Sequence, residues 1–220
     1  MKKIIIASLS SILFAATGAR AEGVAAGLRI GTLGPGAEAV GFLTSNLNLR
    51  VTGNYVAFGF YGRVDTVNYD AHVRMSSLQG LLDWHPSDGN FRITGGVVLN
   101  NNKVRINGTP TDPTAKIGDN SYPSDAVGTL HGEASFDMWD PYLGIGYGNA
   151  VADDTDLSFS FDIGVMYQGD PGISLSSNGA AAGDPAFQAD LAKERQKVQN
   201  FANKIKFYPV ISFGICYYFW

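Results

Sequence analysis

The chain has one cysteine, Cys216, in 220 residues. No intramolecular disulfide can form, so this is not a small secreted scaffold held by cystines. Bases are scarce too. Setting aside Lys2, Lys3 and Arg20 at the start, 13 basic residues face 20 acidic ones, a net charge of −7. That balance excludes nucleic acid as a partner, because phosphate contacts need a basic surface. After the first 21 residues no stretch reaches about 18 uncharged apolar residues, so no membrane-spanning helix is expected there. No glycine-rich phosphate loop and no metal-ligand spacing occurs, and no cofactor or metal is expected. "DDTD" (153–156) lacks the spacing of a calcium loop and reads as a plain turn.

What is present begins with the N-terminus. "MKK" precedes the apolar run "IIIASLSSILFAATGA", and Ala19, Arg20 and Ala21 fit a small-x-small cleavage site. Residues 1–21 are therefore expected to be a signal peptide, cut near Ala21, with residues 22–220 as one exported domain. No cysteine lies near the cut to carry a lipid.

The dominant pattern beyond that point is alternation. In "LSFSFDIGVMYQ", Leu157, Phe159, Phe161, Ile163, Val165 and Tyr167 share one face, opposite Ser158, Ser160, Asp162, Gly164, Met166 and Gln168. A period of two means strands with one apolar face. The same pattern in "FRITGGVVLNNN", "LNLRVTGNYVAF", "PYLGIGYGNA" and "GVAAGLRIG" predicts eight strands, at about 24–31, 36–43, 47–61, 69–84, 91–106, 131–150, 157–169 and 207–220. In "HVRMSSLQGLLDW" the apolar phase changes between Met75 and Leu78, which predicts a β-bulge near Ser76–Ser77. Short polar turns (44–46, 85–90, 152–156) alternate with long polar stretches (62–69, 107–128, 170–204), as in an outer-membrane barrel. Within the last, 184–206 reads as a helix. Asp184 caps it, Pro185 takes its first position, and Phe187, Leu191, Val198, Phe201, Ala202 and Ile205 form one stripe.

Alternation does not say which solvent meets the apolar face. A soluble periplasmic ligand-binding barrel turns it inward; a membrane barrel turns it outward. Three features favour the second. Arg29, Glu38, Arg50, Asp83, Arg92 and Asp162 fall mid-strand on the polar faces, with balanced signs that suit a closed polar lumen. Aromatics gather at strand ends: Trp84 and Phe91; Tyr55, Phe58, Phe60, Tyr61 and Tyr69; Trp139 and Tyr142; Tyr217 to Trp220. The third is the final stretch "ISFGICYYFW", with Ile211, Phe213, Ile215, Tyr217 and Phe219 on one face and Ser212, Gly214 and Cys216 on the other.

That ending resembles the C-terminal signal read by the barrel-assembly machinery, carried here by Ser212, Gly214, Tyr217 and Phe219, with Trp220 as one residue beyond the usual terminal aromatic. "LLDWHPSDGNFRITGGVVLNNNK", "DPYLGIGYGNA", "LSFSFDIGVMYQG" and "YPVISFGICYYFW" resemble segments of small Gram-negative outer-membrane proteins related in architecture to the OmpA-type transmembrane domain. The resemblance implies an all-β, eight-stranded antiparallel up-and-down transmembrane β-barrel. It would be monomeric, set in outer-membrane lipid and lipopolysaccharide, with the helix in its last extracellular loop.

Function is less specified. A structural or interaction role, or a narrow permeability path, fits an eight-strand lumen filled by side chains. The other class is a lipid A-modifying hydrolase: "HGEAS" puts His131, Glu133 and Ser135 on one strand face, the residue types of a base, an orienter and a nucleophile. His85, in the "WHP" turn, reads as a turn residue.

Overall fold

The computed structural model describes residues 23–87, 89–136, 139–151 and 156–219. The expected signal peptide, residues 153–155 of the acidic turn and Trp220 lie outside the described residues. The strands are β1 (Val24–Gly31), β2 (Gly36–Thr44), β3 (Leu47–Val64), β4 (Val67–Trp84), β5 (Phe91–Asn100), β6 (Lys103–Pro110), β7 (Thr114–Ile117), β8 (Asn120–Pro123), β9 (Leu130–Ser135), β10 (Trp139–Tyr147), β11 (Leu157–Tyr167), β12 (Gly172–Ser177) and β13 (Phe207–Tyr218). Two helices, α1 (Ser124–Val127) and α2 (Pro185–Ala202), lie among them.

Eight strands close into a ring, in the order β1-β2-β3-β4-β5-β10-β11-β13 and back to β1, with antiparallel neighbours throughout. Closure leaves this ring without a free edge. The barrel is inverted relative to a soluble one. Leu28, Leu143 and Phe159 point outward and are 68%, 63% and 70% exposed, while Arg29, Arg50 and Asp162 are buried inside. Aromatics ring the outside at two heights. Trp84, Phe91, Tyr147 and Tyr217 sit beside the short turns; Tyr55, Trp139, Tyr167 and Phe207 sit toward the other end. The 11 residues of β11, at about 3.3 Å each and tilted by about 40°, span roughly 25 Å, the height of a lipid-facing band.

At the long-loop end the sheet leaves the barrel. The lower half of β4 pairs with β5, and its upper half, Val67–Arg74, pairs with β6 instead. β9 adds to β6 and β12 adds to β9, so a second sheet rises from one side of the rim. The β7–β8 hairpin and α2 lie against it. Asp184 caps α2 by accepting from Ala186 N at 2.7 Å.

Several expectations change here. Residues 62–69 are not a loop: β3 and β4 run through them to a two-residue turn at Asp65–Thr66, with Asp65 at φ 49°. No bulge occurs near Ser76–Ser77, since the β3–β4 register is continuous. The apolar phase changes there because the strand changes surroundings. The face that lines the polar lumen at Ser77, Gln79 and Asp83 continues upward as the apolar face Ala71–Val73–Met75 of the outer sheet. The predicted strands 91–106 and 131–150 each divide in two, one part in the barrel and one in the outer sheet. Tyr142 is not an interface aromatic. It shares its face with Gly144 and Gly146 and lies buried in the lumen. The helix is shorter than 184–206.

Candidate functional site

The lumen is filled in layers. Nearest the short turns lie Ala25, Val40, Val151 and Cys216, with Cys216 Sγ 3.2 Å from Glu38 Oε1. His85 closes this end. Its Nδ1 donates to the Gly89 carbonyl at 2.7 Å, which leaves Nε2 to accept from Asn48 Nδ2 at 3.3 Å. Toward the long-loop end lie Leu33, Leu81, Val98, Tyr142, Met166 and Val210. Gly144 and Gly164 make room for the Tyr142 ring; a Cβ on Gly164 would stand 2.3 Å from Tyr142 Oη.

Between these layers the structure brings all six mid-strand charges together. Asp162 is the hub: it accepts from Arg29 Nη1, from Arg50 Nη1 at 3.1 Å and from Arg92 Nη2 at 2.8 Å. Arg29 Nε also donates to Glu38 Oε2 at 2.7 Å, and its Nη1 to Ser212 Oγ at 2.7 Å. Arg50 Nη2 donates to Asp83 Oδ1 at 2.9 Å, and Thr94 Oγ1 donates to the same oxygen at 2.6 Å. Arg92 Nη1 donates to the Gly148 carbonyl. Three guanidinium groups meet three carboxylates, so the cluster is neutral overall. Each bond is charge-assisted and shielded from water. Gly146 keeps the space clear, since a Cβ there would meet Asp162 Oδ1 at 2.4 Å. The two cavities against the cluster are about 10 Å³ each, one water's worth of room.

The other sequence candidates are placed as follows. Ser212 lines the lumen with Gly214, while Tyr217 and Phe219 face outward. His131, Glu133 and Ser135 do lie on one face of β9, outside the barrel. There His131 and Glu133 have different partners. His131 Nδ1 is 2.8 Å from Asn107 Oδ1, and Glu133 accepts from Arg105 Nε at 2.6 Å. The Arg105 hydrogen bond holds Glu133 below the usual carboxylate range and turns toward Arg105 the carboxylate that would have to orient His131. No hydrogen bond joins the three to one another among the described residues.

The cations of α2 are mostly taken by nearby acids. Lys193 pairs with Asp119 at 2.9 Å and Asp190 at 3.0 Å, Lys197 with Glu194 at 2.9 Å, and Lys206, just beyond the helix, with Asp170 at 3.0 Å. Only the N-terminal part of the apolar stripe is covered: Phe187 and Leu191 are buried, while Val198, Phe201 and Ile205 are exposed.

Two features were not foreseen from sequence. Arg74 on β4 and Lys103 on β6 stand directly opposite each other, on the face that continues the lipid-facing surface. They border a recess of about 340 Å³ with Phe58, His72 and Arg105. A larger cavity lies on the other face of the outer sheet, under α2. Alternation in "KVRING" marks β6 as a strand, but its pairing with the upper half of β4 cannot be read from it.

A closed, inverted eight-stranded barrel with a charged, filled lumen is the architecture of a membrane-spanning β-barrel. No known protein family matches the chain, and no curated protein sequence does. Solved structures share its fold. The crystal structure of Acinetobacter baumannii CarO2 aligns at 19% identity over 90% of this chain and 98% of that one, with a TM-score of 0.61. That of Acinetobacter baumannii CarO aligns at 19% identity over 89% and 97%, with a TM-score of 0.58.

Proposed function

We propose that the chain is an outer-membrane β-barrel of a Gram-negative cell that works at its outer face rather than through its lumen. The observation that carries this reading is the Arg29–Arg50–Arg92 and Glu38–Asp83–Asp162 cluster, which bridges the lumen between two apolar layers, with the two cavities against it about 10 Å³ each among the described residues. An ion entering would have to break charge-assisted bonds in a low-dielectric interior. Short turns at one end of the barrel and the outer sheet at the other support an orientation with the short turns in the periplasm and the outer sheet outside. The fold shared with the two CarO structures supports the membrane setting. Cell fractionation and planar-bilayer recording test it: recovery with outer-membrane lipid and no stepwise conductance is expected. Steady single-channel steps would instead support a narrow permeability path.

Lipopolysaccharide is the proposed lipid partner. Like charges directly opposite across two strands repel, and Arg74 and Lys103 have no ion pair among the described residues. A lipid phosphate between them would relieve that repulsion. Folded protein in lipopolysaccharide-containing bilayers should resist urea better than in phospholipid alone. Arg74→Gln/Lys103→Gln should erase the difference; an unchanged difference would remove this partner assignment.

A further inference from the structure

The outer sheet and α2 touch at one end and part at the other. At the N-terminal half of α2, Phe187 and Leu191 pack with Ile117 and Val127 in a closed core, and the Phe187 ring meets Tyr122 edge-on at 5.0 Å. Asp190 ties the same turn down by accepting from Asn120 at 2.6 Å and Tyr122 at 2.8 Å. Farther on, Gln199 holds the helix to the start of β12: its Oε1 accepts from Ile173 N at 3.2 Å, and its Nε2 donates to the Pro171 carbonyl at 2.6 Å.

Between these two attachments the helix spans a hollow of about 670 Å³, within the usual range of small-molecule sites. The hollow follows from the sequence of the sheet. Ile106, Gly132 and Leu175 are cross-strand neighbours, as are Gly108 and Leu130. Small residues at the centre of an apolar face leave volume that nothing from α2 fills. A Cβ on Gly132 would meet only ordinary contacts, Ile106 O at 3.5 Å and Leu175 Cδ1 at 3.9 Å. Two of the apolar lining residues remain open to water: Ile106 is 42% and Val198 48% exposed.

Four charged residues also line the hollow: Lys116, Glu133, Glu194 and Arg195. The two acids are already engaged. Glu133 accepts from Arg105, and Glu194 accepts from Lys197 at 2.9 Å and from Gly118 N at 3.0 Å. Lys116 and Arg195 have neither an ion pair nor a side-chain hydrogen bond among the described residues. The unmatched charge at this apolar cavity is therefore positive.

We propose that the cavity between the outer sheet and α2 is a binding site for a small amphipathic anion, an aliphatic carboxylate of medium chain length. Its chain covers Ile106, Leu175 and Val198, and its carboxylate is met by Lys116 and Arg195. This goes beyond the reading of the barrel and does not depend on whether the lumen conducts.

The probe is decanoate, titrated calorimetrically into the full mature chain folded in phospholipid nanodiscs. Decan-1-ol serves as the neutral control and decyltrimethylammonium as the cationic one. Saturable decanoate binding is expected, about tenfold tighter than that of either control. Gly132→Leu fills the cavity from the sheet and Val198→Trp from the helix; each should abolish saturable binding. Lys116→Gln/Arg195→Gln should weaken decanoate by about tenfold and remove its advantage over the alcohol. Heat-modified migration in gels shows which variants fold, and one folded filling variant suffices. Equal decanoate uptake by wild type and a folded filling variant would overturn the site. Equal affinity for decanoate and decan-1-ol would overturn its anion preference.

Discussion

Arg50 on β3 and Asp162 on β11 stand on diametrically opposite walls of the barrel, four strands apart either way round, and their side chains meet at 3.1 Å. This hydrogen bond crosses the full width of the barrel. It also ties the two walls together, so the lumen works as a cross-brace.

Removing the hub should therefore be costly. Asp162→Ala leaves three guanidinium groups with two carboxylates in a buried site. A loss of about 3–5 kcal/mol in urea unfolding from liposomes is expected. Arg50→Met/Asp162→Leu, which removes one charge of each sign, should cost less than the sum of its single changes. An additive double variant would show that the two side chains do not act as a unit.

The Tyr142 ring lies where a side chain on Gly164 would go. Gly164→Ala should destabilise the barrel by about 1–3 kcal/mol through overpacking. Tyr142→Ala in the same chain should recover part of that loss, because the obstructing ring is gone. Equal stability of Gly164→Ala and wild type in the same unfolding assay would contradict the predicted packing.

The outer helix should loosen in acid before the barrel does. Hydrogen bonds from Asn120, Lys193 and Tyr122 hold the Asp190 carboxyl down at about 2. An unfolded aspartate titrates near ~3.9. The folded value is the lower one, so the stabilisation is complete above about pH 4 and fades as pH falls toward 2. Hydrogen exchange of residues 185–202, corrected for intrinsic rates, should accelerate across that window. Asp190→Asn should exchange faster at neutral pH and show a flatter response.

Phe187→Ala should act locally. It removes a fully buried ring and its contact with Tyr122, a change worth about 3–5 kcal/mol in a closed core. The barrel shares none of that core. Trypsin should cut faster at Lys193, Arg195 and Lys197, while the urea midpoint of the barrel stays put. A drop in that midpoint would show that the outer sheet and barrel unfold together.

Much of the barrel was legible because the rule that builds it is local. Side chains on a strand alternate, so Arg29, Glu38, Arg50, Asp83, Arg92 and Asp162 could be assigned to one surface from parity alone. Tyr142 was legible by the same rule, since it shares parity with Gly144 and Gly146; grouping it with the interface aromatics set the residue type above its position. The upper half of β4 was not legible. Its apolar phase changes near Ser77, where its partner changes from β5 to β6, but in sequence that change reads as a bulge. An apolar face looks the same in sequence whether it meets lipid or a neighbouring helix.

The sequence by itself determined the inverted alternation, the balanced charges of the lumen and the capped helix, because each depends on residues within a few positions of one another. Only the tertiary structure decided that the six charges meet at one hub across the lumen and that Gly132, Lys116 and Arg195 border one cavity. Those facts depend on which strands become neighbours. That choice is made by closing the sheet over long chain separations, and no local pattern records it.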